Sequence, residues 1–236
     1  MAAVFLEAQW RKLAIANYAV DPLVLQAFLP GNTELDYWND TCYVSLVGFI
    51  FLDTRVKGIR VPFHVNFEEV NLRFYVRRRD ESGWKRGVVF IREIVPKPAL
   101  TFVANTVYGE NYCTMPMRHS WTFGVDHQCI EYRWKKHRWN SFSVTTEKTP
   151  VCIAEGSEEE FITEHYWGYT RMNAAQTSEY GVEHPRWEVY PVRNYSIDVD
   201  FASVYGREFG FLQQAIPESV FLAEGSAIKV MHGERF

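Results

Sequence analysis

The segment FEEVNLRFYVRR, residues 67–78, alternates between apolar and polar side chains and constrains the fold more than any other part of the chain. Strict alternation is the period of a strand whose two faces meet different surroundings. The apolar face is formed by Val70, Leu72, Phe74 and Val76. The polar face is formed by Glu69, Asn71, Arg73 and Tyr75. TCYVSLVGFIFL (41–52) and VVFIREIV (88–95) also read as strands, and this spacing favours antiparallel hairpins over βαβ units.

The period changes after Lys97. Leu100, Val103, Ala104 and Val107 have the i, i+3, i+4, i+7 spacing of one helix face. Pro98 suits the first helical position, and Gly109 suits the position just after the last turn. We therefore predict a helix from Pro98 to about Tyr108, with Lys97 at the junction between a strand and this helix.

The rest of the chain repeats the strand pattern, with a few short helices between strands. HQCIEYRW and RWNSFSVTT flank a basic turn, and EHYWGYTRM, RWEVYPV and AIKVMHGERF also read as strands. Helix starts are indicated at Asp21-Pro22, at the capping box of Ser157 and Glu160, and at Asp200. Because no Pro/Gly/Ser linker or repeat interrupts this pattern, we expect a single α+β domain over residues 1–236, rich in antiparallel strands.

Composition and charge exclude several classes of protein. The chain is 47% apolar and 16% aromatic, which is ample for a large core, and its net charge of −4 comes without a basic stripe, so no nucleic-acid partner is expected. Its longest uncharged stretches have 12 residues, whereas a membrane helix needs about 20. MAAVFLEAQWRK carries charges where a signal peptide would be apolar. We expect a cytoplasmic protein without a membrane partner, with four reduced cysteines.

No metal or cofactor motif is present. The seven histidines include no H-E-x-x-H pattern, and the chain has no P-loop, no G-x-G-x-x-G and no G-x-S-x-G. Glu164-His165 and Glu183-His184 are adjacent pairs, and neighbours in a strand point to opposite faces. We therefore expect no metal site and no cofactor.

Lys97 is the candidate nucleophile, because it lies between two prolines in the otherwise apolar run REIVPKPALTF. A lysine that forms an imine must be mostly neutral near pH 7, which requires a pKa well below the usual value of about 10.4. Burial and a helix N-terminus both act in that direction, and the sequence suggests both here. The alternative is an ordinary solvated lysine in a Pro-x-Pro corner.

REIVPKPA resembles the segment around the Schiff-base lysine of acetoacetate decarboxylase, with Lys97 at the position of the lysine that forms the imine. NFEEVNLRFYV resembles the strand that carries an acidic residue facing that enzyme's pocket, which Glu68 or Glu69 would match. The chain more closely resembles the uncharacterised YqjF-like family of the same superfamily, over nearly its whole length. The stretches that carry this resemblance are NYAVDPLVLQAFLP, YVSLVGFIFLDTR, FEEVNLRFYVR, ITEHYWGYTR, EHPRWEVYPV and FLAEGSAIKV.

The resemblance implies a mostly antiparallel, β-barrel-like sheet that encloses a cavity, with a few short helices. The chain departs from the decarboxylase at three positions. Pro98 replaces the second lysine, Val95 stands at the aromatic position, and Ile91 replaces a glycine. A neighbouring ammonium is one known means of activating a lysine, and it is missing here.

Two functions from different classes remain open. The first is a barrel that binds a small apolar or carboxylate ligand, with Arg73 or Arg92 on the carboxylate and with Tyr75, His165 and Trp167 as further contacts. The alternative is a cofactor-independent lyase that decarboxylates a small β-keto acid through an imine on Lys97, with Glu69 moving the proton.

Each of these interpretations has a simpler counterpart. Glu69 and Arg73 could form a cross-strand ion pair on the surface, and the cavity could be empty. The sequence also leaves open whether the chain forms a homo-oligomer.

Overall fold

Strands make up most of the molecule. The computed structural model describes residues 3–81, 83–173 and 175–236, with the backbone alone for 107 and 108. The strands in chain order are β1 (Val4–Ala19), β2 (Glu34–Leu35), β3 (Tyr43–Val56), β4 (Phe67–Asp80), β5 (Gly83–Val95), β6 (Tyr112–Thr114), β7 (Met117–Phe123), β8 (His127–Lys135), β9 (Trp139–Glu147), β10 (Val151–Cys152), β11 (Trp167–Asn173), β12 (Gln176–Glu183), β13 (Glu188–Tyr190), β14 (Val192–Asp198), β15 (Ser219–Met231) and β16 (Glu234–Arg235). The α-helices are α1 (Pro22–Leu25), α2 (Pro98–Tyr108), α3 (Glu158–Thr163) and α4 (Phe201–Tyr205), and 3₁₀ turns cover Gln26–Phe28 and Arg207–Gln213.

The main sheet has twelve strands and bends into a near-closed ring. Its central order is β15-β1-β3-β4-β5-β11-β12, and β12 pairs again with β15 through Val182–Val230 and Glu183–Lys229. The pairings are antiparallel except those of β5 with β6 and with β11. This architecture confirms the expected α+β fold with a mostly antiparallel, barrel-like sheet and short helices.

A second, four-stranded sheet covers one face of the ring. Its order is β14-β9-β8-β7, and its apolar side chains join the same core cluster as those of β3 and β4. The predicted apolar face of β4 is fully buried in this cluster: Val70, Leu72, Phe74 and Val76. The opposite face of β4 points to the inside of the ring, so β4 is covered on both sides.

The strand β1 is longer and more central than the sequence indicated. The segment VFLEAQWRKLAIANYA reads as a mixed apolar stretch, yet it pairs along its length with both β3 and β15. The register shifts between Arg11 and Ala14, where Lys12 takes a positive φ of 54°. An irregularity of this kind disturbs the regular alternation on which strand prediction depends.

The helix starts follow the predicted capping residues. The Asp21 side chain accepts from the Leu23 N–H, Ser157 Oγ accepts from the Glu160 N–H, and Asp200 accepts from the Ser203 N–H. Helix α2 begins at Pro98, as predicted from the change of period. It ends at Tyr108, and the next residue, Gly109, has a φ of 69°, the left-handed conformation that glycine adopts readily.

The cysteines, the helix lengths and the possible metal ligands relate to further expectations from the sequence. All four cysteines are free thiols, of which Cys42 is buried and Cys152 exposed. Within the described ranges, no helix is long and apolar enough to cross a membrane. The described side chains also include no cluster of three or more His, Cys, Asp or Glu that could hold a metal ion.

Candidate functional site

A cavity of about 400 Å³ lies inside the ring of strands. Its wall is mainly apolar and aromatic, with contributions from Leu13, Phe49, Phe51, Phe67, Val88 and Trp187. Helix α2 contributes Leu100 and Val103 to the same wall. A concave, mostly apolar space with a few polar groups is the usual form of a small-molecule site.

Three glutamates lie on one side of this cavity. Glu69 and Glu93 are 2% and 3% exposed, and Glu110 lies beside them. Asn71 Nδ2 donates to Glu69 Oε1 at 2.9 Å, and the Tyr112 hydroxyl donates to Glu69 Oε2 at 3.3 Å. Glu93 Oε2 is buried and has no partner among the described residues. The site therefore contains an acidic wall with unsatisfied hydrogen-bonding capacity.

Burial raises the pKa of each of these carboxyls. For Glu93 the neighbouring carboxyls of Glu110 and Glu69 raise the pKa further, because like charges at close range oppose ionisation. A carboxyl whose pKa is raised holds its proton at higher pH and can then donate a hydrogen bond. The acidic wall can therefore present neutral donors to a ligand.

A β-bulge decides which residues of β5 reach the cavity. Leu72 pairs with Arg92, but the next residue, Arg73, pairs with Phe90, so that Ile91 is an extra residue in β5. Phe90 and Glu93 both line the cavity. In a regular strand, residue 92 would share a face with Phe90 and residue 93 would lie on the opposite face. The extra residue in β5 therefore reverses the alternation. Glu93 reaches the site for this reason, and no local pattern in the sequence indicates the bulge.

Arg92 lies on the face of β5 away from the cavity. Its guanidinium donates to the backbone carbonyl of Val204. The bulge turns the Arg92 side chain outwards, and Arg92 is not among the described lining residues, so this geometry does not support its expected contact with a ligand carboxylate. Arg73 is the arginine that faces the cavity.

Arg73 is 9% exposed and lines the cavity. Its Nη2 lies 3.5 Å from the carbonyl oxygen of Ile162, and its Nε has no partner within the described part of the chain. The guanidinium carbon lies 5.7 Å from the centre of the Tyr75 ring. The alternative of a surface ion pair between Glu69 and Arg73 is wrong, because both side chains are buried.

A second polar group at the site joins Asp36, Arg86 and His165. Asp36 follows β2, and its backbone N–H donates to the Tyr75 carbonyl. Arg86 Nε donates to Asp36 Oδ2 at 2.6 Å, and His165 Nε2 lies 3.1 Å from the same oxygen. His165 lines the cavity, and its Nδ1 is buried without a partner among the described residues.

The close contact between β5 and β11 brings this group together. Gly87 of β5 pairs in parallel with Trp167, two residues after His165. A Cβ at Gly87 would lie 2.6 Å from the Trp167 carbonyl oxygen, so only glycine allows this approach. Arg86 lies in β5 and His165 lies just before β11, and both reach Asp36 where Gly87 allows these two strands to meet.

The remaining candidates from the sequence occupy different positions. Trp167 lines the cavity. Tyr75 does not line it but is fully buried behind it, with its hydroxyl 2.8 Å from Ser45 Oγ. Glu68 is the alternative to Glu69 as the acidic residue facing the cavity. Its Oε1 lies 2.8 Å from His119 Nδ1, and it is not among the described lining residues.

Lys97 is partly exposed, and it is not one of the described residues that form the cavity wall. Its backbone carbonyl accepts from the Thr101 N–H in the first turn of α2. The structure thus brings Glu69, Arg73, His165 and Trp167 together and leaves Lys97, Tyr75 and Arg92 outside. Glu93, Glu110, Tyr112, Tyr180 and Asp36 are polar residues at or beside the site that the sequence did not single out.

Comparison with protein families gives a match over most of the chain. Residues 7–227 match the model of DUF2071, described as an uncharacterized conserved protein (COG2071). The uncharacterized protein YqjF of Bacillus subtilis (strain 168) is 32% identical over 75 residues, which is 31% of this chain and 31% of YqjF. The matched region thus spans less than a third of the length of this curated relative.

Solved structures share the fold at low sequence identity. Acetoacetate decarboxylase of Legionella pneumophila matches with a TM-score of 0.67 at 13% identity, over 99% of this chain and 88% of that one. The enduracididine biosynthesis enzyme MppR, complexed with pyruvate, matches with a TM-score of 0.68 at 12% identity, over 100% and 91%. An acetoacetate decarboxylase-like enzyme from Sphingomonas wittichii RW1 matches with a TM-score of 0.66 at 9% identity, over 98% and 92%. The fold is therefore that of the acetoacetate decarboxylase-like proteins.

Proposed function

The chain belongs to the DUF2071 family of uncharacterised conserved proteins, and we propose that it binds a small, mainly apolar carboxylic acid in the cavity of the ring. The observation that carries this proposal is Arg73, a buried guanidinium and the basic group in a mainly apolar wall that also holds the three glutamates, with its Nε unpartnered among the described residues. A buried charge is costly unless it is paired. The charge of Arg73 already acts on Glu69, and Nη2 lies 3.5 Å from the Ile162 carbonyl oxygen, so a ligand carboxylate would supply the partner that Nε lacks.

Arginine suits this role because its planar guanidinium can donate two parallel hydrogen bonds to a carboxylate. The apolar wall would contact the rest of the ligand, and about 400 Å³ is enough for a small molecule. The carboxyls of the acidic wall, whose pKa is raised by burial, would donate further hydrogen bonds to the ligand when they are protonated. A structural relative of this fold is described in complex with pyruvate, itself a small carboxylate, which supports the proposal by analogy of fold.

The alternative function, decarboxylation through an imine, requires the Lys97 amine inside the cavity. Lys97 is instead partly exposed, at the start of α2 and outside the described lining residues. Pro98 also occupies the position where the decarboxylase has its second lysine. The geometry therefore favours binding over imine chemistry.

The test compares a carboxylate with its uncharged amide. Isothermal titration with 4-methylpentanoate and 4-methylpentanamide should show the carboxylate binding more tightly. Charged hydrogen bonds contribute about 1.5–3 kcal/mol, which corresponds to roughly a 10- to 100-fold preference. Arg73→Met keeps the apolar contact and should abolish this preference.

Arg92→Met is the matched control, because Arg92 lies on the other face of the sheet. It should keep the preference of the wild-type protein. Equal binding of acid and amide by the wild-type protein would contradict the proposal, and so would loss of the preference in Arg92→Met alone.

A further inference from the structure

The hydrogen-bonding state of His165 is set by Asp36 and Arg86. Asp36 Oδ2 accepts from Arg86 Nε at 2.6 Å and lies 3.1 Å from His165 Nε2, and the Asp36 and His165 side chains are 5% and 1% exposed. Hydrogen bonds from His165 and Arg86 and the Arg86 charge outweigh burial and lower the pKa of Asp36, so that it is a carboxylate near neutral pH. A carboxylate only accepts hydrogen bonds, so His165 Nε2 must carry the proton and donate it.

The other ring nitrogen of His165 is consequently an acceptor. Burial, together with the charges of Arg86 and Arg73, lowers the pKa of His165 to about 4, against the opposing effect of Asp36. The ring is therefore neutral near pH 7, with its proton on Nε2 and a lone pair on Nδ1. Nδ1 is buried and unpartnered among the described residues. The Tyr75 ring at 4.8 Å and the Phe161 ring at 5.0 Å hold the imidazole in place.

His165 and Arg73 are neighbours in the cavity wall. Both side chains contact the Tyr75 ring, and both line the cavity. Asp36 is not among the described lining residues, so the Nε2 bond of His165 leads away from the cavity. A small ligand whose carboxylate lies on Arg73 would therefore lie close to His165 as well.

We infer that His165 Nδ1 accepts a hydrogen bond from a ligand hydroxyl, and that the ligand is a small, mainly apolar 2-hydroxy carboxylic acid held by Arg73. This inference rests on the proposed function and names its ligand class. A 2-oxo acid would present a second acceptor to Nδ1 instead of a donor. A site built to bond a hydroxyl discriminates against analogues that lack it, because its buried polar atom is then left unpaired. His165 is thus a specificity-determining residue, and Asp36 is the residue that fixes its tautomer.

The test measures binding of three acids of the same carbon skeleton by titration calorimetry: 2-hydroxy-4-methylpentanoate, 2-oxo-4-methylpentanoate and 4-methylpentanoate. We expect the hydroxy acid to bind at least about 10-fold more tightly than either of the others. His165→Phe keeps ring packing against Tyr75 and Phe161 and should remove this preference. His119→Phe, at a surface histidine bonded to Glu68, should keep it.

The outcomes separate the inference from the proposed function. Equal binding of all three acids, or a preference that survives in His165→Phe, would overturn the inference and leave the proposed function standing. If none of the acids binds, both fall. Nitrogen-15 NMR of the histidine rings in the wild-type protein gives a test without ligand. We expect an unprotonated Nδ1 at His165, and a protonated Nδ1 near pH 7 would overturn the inference by itself.

Discussion

Asn71 and Glu93 lie directly opposite each other on β4 and β5, and each has a buried side-chain oxygen without a partner among the described residues. Two buried, unpartnered acceptors on paired residues are unfavourable while Glu93 is ionised, because an amide oxygen can only accept. A proton on Glu93 removes the conflict, because the carboxylic acid can donate to an oxygen nearby. The protonation state of this pair therefore bears on both stability and binding.

We expect Glu93→Gln to become more stable relative to the wild-type protein as pH rises above about 4. The pKa of Glu93 is raised in the folded protein, whereas in the unfolded chain it is about 4.3. The folded state thus binds a proton that the unfolded state releases. The stability linked to this proton is complete below about pH 4 and is lost as pH rises through the raised pKa, by about 1.4 kcal/mol per pH unit at most.

Urea unfolding at several pH values measures this effect. Glu188→Gln, at an exposed position of β13, is the control and should follow the wild-type curve. If the free energies of unfolding of Glu93→Gln and the wild-type protein changed in parallel with pH, Glu93 would have the same pKa in the folded state as in the unfolded chain.

Gly87→Ala should destabilise the protein and weaken carboxylate binding. The new Cβ would lie 2.6 Å from both the Trp167 carbonyl oxygen and the Tyr169 ring, so β5 and β11 would have to separate. Overpacking of this kind typically costs about 1–3 kcal/mol. Gly31→Ala places its Cβ 3.6 Å from the nearest atom and serves as the control. Thermal unfolding of both variants is the measurement, and equal melting temperatures would refute the steric argument.

Because Lys97 lies outside the described cavity wall, we expect it to show no selective reactivity toward a keto acid. Treatment with acetoacetate and borohydride, followed by peptide mass spectrometry, should label several exposed lysines without selecting Lys97. Lys97→Ala should bind 4-methylpentanoate as the wild-type protein does, because Lys97 lies outside the described cavity wall. Selective labelling of Lys97, or loss of binding in Lys97→Ala, would restore the imine hypothesis.

Ser157→Ala should lower the free energy of unfolding by about 0.5–2 kcal/mol, since its Oγ accepts the Glu160 N–H at the start of α3. Helix α3 carries Ile162 and Thr163 into the cavity wall, so ligand affinity should also fall. Ser196→Ala, at an exposed position of β14, is the control for removal of a hydroxyl. Denaturant unfolding with and without ligand distinguishes the two effects. If Ser157→Ala were as stable as Ser196→Ala, the Ser157 hydroxyl would make no capping contribution to stability.

Local signals predicted the elements next to the site. The change of period after Lys97 gave both ends of α2, because a proline start and a glycine stop are short-range features. Alternation along β4 separated the apolar face at Val70 from the face that carries Glu69 and Arg73. Alternation alone could not show that the second face is also buried, since that depends on closure of the ring.

The site itself depends on contacts that no local pattern encodes. Asp36 and His165 are 129 positions apart and meet only because β5 and β11 approach at Gly87. Glu93 faces the cavity because of one extra residue at Ile91, and a single bulge reverses every later assignment of faces in that strand. Lys97 and the arginine Arg92 belong to the segment REIVPKPA, whose resemblance to a known motif makes them candidates. The side chains of Glu93 and Asp36 reach the site through long-range pairing, which no local motif indicates.

The pairing of β1 with β15 has a kinetic consequence. Val4 and Met231 are register partners, and both strands supply cavity-lining residues: Phe5, Leu6, Trp10 and Leu13 from β1, and Val230 and Met231 from β15. Contacts between such distant segments form slowly, because the entropy of closing a long loop must be lost before the contacts form. We predict that this pairing, and with it the cavity, forms late in folding, after the local hairpins. A bound acid should slow unfolding of the native protein while leaving the rate of refolding unchanged.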